Sequence, residues 1–131
     1  MKKLFKKLTE KFSEFIRLRD ADDDGICICP LCDKSGKWIY FHCAHYIKCR
    51  HGALRWHERN CHAQCPECNC DQYTDGQFAK YQDFMTKKYT PGEIGELHML
   101  KNSDFRPTKY ELQIKIDHYT ELVKELKKEK S

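Results

Sequence analysis

The chain has 131 residues, which suits a single domain, and hydrophobic residues make up 40% of it while charged residues make up 34%. A core of this size is thin and usually needs a metal or disulfide bonds for stability. The net charge of +4 is too small to indicate a polyanionic partner by itself. With a lysine-rich start and no run of roughly 20 apolar residues, we expect a cytoplasmic, intracellular protein with neither a membrane partner nor a small-molecule cofactor.

The domain divides into three parts in chain order. Residues 1–20 are predicted to form an amphipathic helix over the core, because apolar residues recur there at helical spacing, and an acidic run then makes a turn. Residues 26–76 are rich in cysteine and histidine and include a β-prone segment, Trp38–Phe41. Residues 77–131 are predicted to be helical. The expected fold class is therefore α+β.

The C-terminal part contains three predicted helices. The first covers Gln77–Tyr89, and capping boxes at Thr90 and Thr108 open the next two. The last helix carries an apolar stripe in alternating steps of four and three: Leu112, Ile116, Tyr119, Val123 and Leu126. Such a stripe needs a partner, and both the domain's own core and a second subunit are open alternatives.

Two Cys-x-x-Cys pairs predict a structural zinc site. Cys29 with Cys32 and Cys65 with Cys68 each supply two thiolates on a tight turn, and together they complete a closed tetrahedron. The odd total of nine cysteines argues against a disulfide framework. The remaining cysteines are expected to be small buried residues, although Cys27 or Cys70 is an alternative ligand. A zinc ion held by four thiolates has no open position and cannot activate water itself.

Catalytic residues are predicted between and just after these pairs. The order His45, then Asn60 five residues before a Cys-x-x-Cys, then Asn69 directly after it, is that of the HNH (ββα-metal) nucleases. A neutral imidazole suits a general base near pH 7, which assigns that role to His45. Asn69 offers an amide oxygen to a catalytic Mg²⁺, with Mn²⁺ as the alternative ion, and Asn60 braces the loop carrying His45.

A basic loop follows His45 and contains Lys48, Arg50, Arg55 and Arg59. Taken alone, such a run is usually a solvated surface. Beside a phosphate-cutting centre it predicts contacts to the DNA backbone.

Three blocks of the sequence resemble the phage NinG (Rap) recombination proteins of the lambda type. They are Phe15–Ala21, Ala44–Ile47 and Glu58–Cys65 running into Cys68 and Asn69, with weaker support in the last helix. The resemblance implies a structure-specific endonuclease that cuts branched DNA, such as Holliday junctions and D-loops, during phage recombination. The zinc arrangement is also similar to that of the junction resolvase endonuclease VII.

Ala44 departs from the endonuclease VII pattern, in which an Asp precedes the catalytic histidine and shares the metal. The candidates for a second metal ligand are therefore His62 and His42, with water as the default. Because a junction has two-fold symmetry, we expect a homodimer. Two rival functions remain: a module that binds branched DNA without cutting, which Ala44 favours, and a zinc scaffold for protein contacts.

Overall fold

The computed structural model describes residues 1–48, 52–70 and 75–130, and within these ranges the fold is α+β, as predicted. The described residues form six α-helices: α1 Lys2–Asp20, α2 Gly52–Arg55, α3 Pro66–Cys70, α4 Asp75–Lys88, α5 Pro91–Leu100 and α6 Lys109–Glu129. Four strands form two antiparallel pairs: β1 Ile26–Ile28 with β2 Ser35–Lys37, and β3 His42–His45 with β4 Cys61–Gln64. None of the helices in the described ranges combines the length and apolar character needed to cross a bilayer.

Helices α1 and α6 pack against each other through their apolar stripes. Tyr119 of α6 contacts both Phe12 and Phe15 of α1, with ring centroids 5.1 Å apart in each pair. The predicted stripe on α6 is buried in this cluster, apart from the half-buried Leu126. The partner of the stripe is therefore the domain's own core, and the homodimer stays a prediction that needs another surface.

The capping boxes that open α5 and α6 are both present. The hydroxyl of Thr90 accepts a hydrogen bond from the backbone of Glu93, and the Glu93 carboxylate accepts one from the backbone of Thr90. Thr108 and Glu111 repeat this arrangement at α6. These reciprocal bonds satisfy backbone donors at the helix starts, which explains why both helices begin where the sequence predicts.

The acidic run after α1 forms the predicted turn. One carboxylate oxygen of Asp22 accepts hydrogen bonds from the backbone N–H groups of Asp24 and Ile26, each at 2.9 Å. Gly25 closes the turn with φ of +77°, a conformation that a side chain would strain. The turn leads directly into β1, and the first cysteine pair follows this strand.

The segment Trp38–Phe41 is not a strand, so the prediction of a β element there is wrong. Trp38–Tyr40 form a 3-10 turn, and β3 starts only at His42. The Trp38 backbone N–H binds the Gly25 carbonyl at 2.9 Å, and the Trp38 ring lies 5.3 Å from the Arg17 guanidinium. These tertiary contacts override the β propensity of the aromatic residues.

Hairpin β3–β4 presents different residues on its two faces. Because His45 pairs with Cys61 and side chains alternate along a strand, Cys43, His45 and Cys61 share one face. Cys61 joins the α1–α6 cluster on that side. Ala44 lies on the other face, in a separate apolar cluster with residues of α4 and α5. Helix α3 then begins at Pro66.

The end of α1 is bonded directly to the hairpin. Arg19 donates hydrogen bonds to the carbonyls of Glu58 and Cys61, both at 2.8 Å, and a carboxylate oxygen of Asp20 accepts the Ala63 N–H at 2.9 Å. Arg19 and Asp20 also form an ion pair at 2.8 Å. These contacts fix the hairpin against α1.

Candidate metal centre and active site

Four cysteines from two distant segments meet at one point. The sulfur atoms of Cys29, Cys32, Cys65 and Cys68 lie within 4.8 Å of one another, and those of Cys32 and Cys65 are 3.6 Å apart. A tetrahedron with zinc–sulfur bonds of about 2.3 Å has edges of about 3.8 Å. The cluster is thus compatible with a structural zinc, and it contains neither Cys27 nor Cys70, the alternative ligands.

The electrostatics of this cluster require a cation if all four thiols are to ionise. Burial raises the pKa of Cys65 to about 11 and also raises the pKa of Cys68, whereas a backbone hydrogen bond from Lys34 lowers the pKa of Cys32. A divalent metal replaces the protons of such thiols and supplies the compensating charge. With four sulfur ligands, its role would be to hold the segment after β1 against the turn between β4 and α3.

His45 and Asn69 line the same pocket, which has a volume of about 430 Å³ and lies beside α1. His45 is the last residue of β3, and Asn69 lies in α3 directly after a cysteine of the cluster. The cysteine cluster therefore sets the position of α3, and with it Asn69, relative to β3. The pocket brings together the two residues that the sequence assigned to the base and to the catalytic cation.

The protonation state of His45 follows from its partner. Its Nε2 lies 2.9 Å from the backbone carbonyl of Arg55. A carbonyl can only accept, so Nε2 carries the proton and Nδ1 keeps its lone pair. Burial lowers the pKa of His45, which keeps the ring neutral at pH 7. A neutral, oriented imidazole with a basic Nδ1 has the properties of a general base.

Asn69 is oriented by His42, which the sequence indicates only as a candidate second metal ligand. The side-chain amide of Asn69 donates from Nδ2 to Nδ1 of His42, at 3.1 Å. His42 lines the pocket as well. The bond fixes the amide plane, and the remaining amide atom, Oδ1, is the one that suits a hard cation.

Asn60 is bonded to the loop that follows His45, whereas His45 itself lies at the end of β3 and not in the loop that the sequence predicts Asn60 to brace. Its Oδ1 accepts the Ile47 N–H at 2.9 Å, while its Nδ2 donates to the carbonyls of Ile47 and Leu54 at 3.0 and 3.2 Å. The side chain is fully buried and is not among the residues lining the pocket. Asn60 is a positioning residue, because it holds the loop that follows His45 without reaching the pocket.

Comparison with known proteins identifies the family. Residues 1–129 match the family model described as bacteriophage lambda NinG protein. The chain belongs to the NinG family. This confirms the resemblance over nearly the whole length and implies a function related to phage recombination. No curated protein and no solved structure matches the chain.

His62, the other candidate metal ligand of this NinG-family chain, lies on the opposite face of the hairpin from His45. Tyr81 donates its hydroxyl proton to the Ala44 carbonyl, so its oxygen accepts from Nδ1 of His62 at 3.0 Å. Nε2 of His62 then accepts from Tyr89 at 2.8 Å. With both ring nitrogens bonded to tyrosines, His62 is part of the core and does not reach the pocket of His45 and Asn69.

The predicted DNA-binding residues are dispersed. Arg55 lines the pocket. Arg59 is paired with acidic residues of α5, at 2.8 Å from Glu96 and 3.8 Å from Glu93. Lys48 is exposed, and Arg50 lies outside the described residues. Among the members of this group that the structure describes, only Arg55 lines the pocket of the predicted base.

Sequence reasoning missed two pocket residues, Arg17 and Cys43. Arg17 donates from Nε to Ser13 at 3.2 Å, and its guanidinium stacks on Trp38. The only sequence feature that points to Arg17 is its place in the Phe15–Ala21 block of the family resemblance. Cys43 stands two residues before His45, so strand alternation predicts that the two share a face. Both residues reach the pocket because β3 packs against α1.

Proposed function

We propose that this NinG-family chain is a metal-dependent endonuclease that cuts branched DNA, with β3, β4 and α3 as an HNH-like ββα-metal core. The observation that carries the proposal is the shared pocket of His45 and Asn69. It supports the arrangement that hydrolysis of a phosphodiester requires, namely a neutral base and an oxygen ligand for a cation on either side of one phosphate.

In the proposed reaction, Nδ1 of His45 takes a proton from the attacking water as the water oxygen bonds to phosphorus. The bond from phosphorus to the 3′ oxygen breaks, and that oxygen takes a proton from solvent water and leaves as a hydroxyl. The products carry a 5′-phosphate and a 3′-hydroxyl. The Arg55 carbonyl holds the imidazole in the tautomer that this step needs, and Asn60 keeps the following loop in place.

A divalent cation would be held by Asn69 Oδ1 and water, with His42 as the neighbouring side chain. When bound, such an ion neutralises the scissile phosphate and the departing oxygen. The amide oxygen is a suitable ligand for both Mg²⁺ and Mn²⁺. Because imidazole is a poor ligand for Mg²⁺, the nearby His42 makes Mn²⁺ an equally suitable ion for this site.

Positive charge at the pocket would contact the DNA backbone. Arg17 and Arg55 both line the pocket and lie on different elements, α1 and α2. Guanidinium groups bind phosphate oxygens in a fixed geometry, so two of them from different elements would orient a strand. We therefore propose Arg17 and Arg55, with Lys48 on the adjoining loop, as phosphate-binding residues.

The test is a cleavage assay on a four-way DNA junction with Mg²⁺ or Mn²⁺. We expect wild type to leave 5′-phosphate ends and His45→Ala to be slower by roughly 10²–10⁴-fold. The matched control is His118→Ala, which removes an exposed histidine of α6. All three proteins should retain the zinc of the four-cysteine site and the same junction affinity, so that a loss of rate reports on chemistry alone.

A second candidate function, binding branched DNA without cutting it, is favoured by one observation. None of the described residues lining the pocket is an Asp or Glu, and Ala44 is buried away from the pocket. Mg²⁺ sites usually include one or two carboxylates. Tight binding of the junction by wild type without cleavage in either metal would select this function.

A further inference from the structure

A second cluster of metal-ligating side chains surrounds the proposed base. Cys43 and His45 lie two residues apart on one face of β3, and Cys61 of β4 pairs directly with His45. Their ligand atoms all lie within 4.8 Å of one another. This cluster shares no residue with the four-cysteine group. It contains two sulfur ligands and one imidazole, a set that suits zinc and excludes Mg²⁺.

The hydrogen bonds of the cluster match those of a metal-binding histidine. A ligating imidazole commonly donates its other ring N–H to a backbone carbonyl, which fixes the ring and the tautomer. His45 makes this bond to the Arg55 carbonyl through Nε2. The thiol of Cys61 approaches the same carbonyl, at 4.0 Å. One backbone oxygen therefore orients two of the three side chains and directs Nδ1 of His45 to the role of ligand.

The charge balance also favours zinc. Zn²⁺ with two thiolates and a neutral imidazole has no net charge, so its burial avoids the penalty of an isolated ion. Cys61 is fully buried, whereas Cys43 and His45 are half-buried and line the pocket. Three protein ligands leave a fourth position, and the pocket gives access to it.

We propose that Cys43, His45 and Cys61 form a second zinc site that opens into the pocket. It differs from the four-cysteine site in having an exchangeable position. Zinc bound there occupies Nδ1 of His45, the atom assigned to the base. Zinc and catalysis would then exclude each other, a consequence that rests on the proposed nuclease function, whereas the site itself does not.

The test is the zinc stoichiometry of the full chain, measured without DNA under reducing conditions by native mass spectrometry. We expect two zinc ions in wild type and one in both Cys43→Ala and Cys61→Ala. The control is Cys70→Ser, an exposed cysteine outside both clusters, which should keep two. Circular dichroism verifies that each variant is folded, and Cys43→Ala, at a half-buried position, serves if Cys61→Ala does not fold. A single zinc in wild type at excess metal, or two in Cys43→Ala, overturns the site.

Cobalt substitution identifies the ligands independently. Wild type with two Co²⁺ ions should show absorption from a four-sulfur site and from a site with two sulfurs and one nitrogen, and His45→Ala should lose only the second set. Retention of both sets in His45→Ala contradicts the proposal. If wild type also cleaves junctions, micromolar zinc should inhibit it but not Cys43→Ala, while the stoichiometry decides the site even if no cleavage occurs.

Discussion

Two histidines of the β3–β4 hairpin are kept neutral by burial but have different partners. His45 donates one hydrogen bond to a backbone carbonyl and retains a basic nitrogen beside the pocket. His62 uses both nitrogens in bonds to tyrosine hydroxyls. The number of partners thus separates a residue suited to proton transfer from one that is part of the core.

His62 should make the fold sensitive to acid. Burial, reinforced by the charge of Arg19, lowers its pKa to about 3. In the unfolded chain its pKa is about 6.5, so between these values the unfolded state binds the extra proton and stability falls as pH falls. We expect this contribution to fall by about 1.4 kcal/mol per pH unit between roughly pH 6 and pH 4. The measurement is urea unfolding across that range.

The control for this prediction is His62→Gln, which keeps polar groups in place but does not titrate. Loss of zinc at low pH affects both proteins, so the difference between their slopes isolates His62. Parallel pH profiles for wild type and His62→Gln would show that His62 does not carry the effect.

Residues of the site were predictable where their signal is local. Asn60 and Asn69 stand at short, fixed spacings from the second cysteine pair, whereas His45 is assigned by its order before them, and in the structure each of the three side chains makes a hydrogen bond. Arg17 reaches the pocket from α1, and its position depends on helix packing that no local spacing encodes.

Helix α1 contributes side chains to two different surfaces. Phe12 and Phe15 pack on α6, while Thr9, Ser13 and Arg17, spaced four residues apart, face the pocket. A helix turns about 100° per residue, so this second line continues toward the N-terminus through the exposed Lys2 and Lys6. The line extends the positive charge of the pocket along the helix.

This lysine line should contribute to DNA affinity. For the double variant Lys2→Gln with Lys6→Gln, we expect the slope of log affinity against log salt concentration to fall in magnitude by up to about 1.8, since each phosphate contact contributes about 0.9. The matched control changes Lys3 and Lys7, which are rotated about 100° from the line. Equal slopes for the two double variants would mean that DNA does not contact the side of α1 that carries Lys2 and Lys6.

The α1–α6 contact should carry much of the stability. Ile116 and Ile114 are chemically identical residues of one helix, but Ile116 is 1% exposed and Ile114 is 50% exposed. We expect Ile116→Ala to lower the free energy of unfolding by about 2–5 kcal/mol and Ile114→Ala by less than about 1 kcal/mol. Denaturant unfolding measures both. Similar losses at the two positions would mean that the stripe does not pack as described.

Elements were predictable where caps and apolar spacing define them. The starts of α5 and α6 follow from their capping boxes, and α1 follows from its apolar periodicity. The stripe on α6 could not by itself distinguish an internal partner from a second subunit, because both bury the same side chains. The prediction of a strand at Trp38–Phe41 is wrong for a related reason, since the conformation of this segment depends on tertiary contacts with Gly25 and Arg17.

At the scale of the whole molecule, the four-cysteine cluster connects parts that have little apolar core in common. One apolar cluster joins α1 and α6, and another joins β3 to α4 and α5. Three of the four cysteines, Cys29, Cys65 and Cys68, belong to a third cluster, and the half-buried Trp38 and Leu31 pack against both this cluster and one of the other two. A zinc ion there would fix the hairpin and α3 as one unit, and that unit carries both His45 and Asn69.

The most direct test of this arrangement is a double-mutant cycle on single-turnover cleavage of a four-way junction, using His45→Ala, Asn69→Ala and the combined variant. If both residues act on one phosphate, each single change should remove most of the rate, and the combined variant should be scarcely slower than either. All four proteins are required to retain the zinc of the four-cysteine site and the same junction affinity. Losses that multiply, full activity in Asn69→Ala, or no cleavage by wild type with Mg²⁺ or Mn²⁺ would contradict the account.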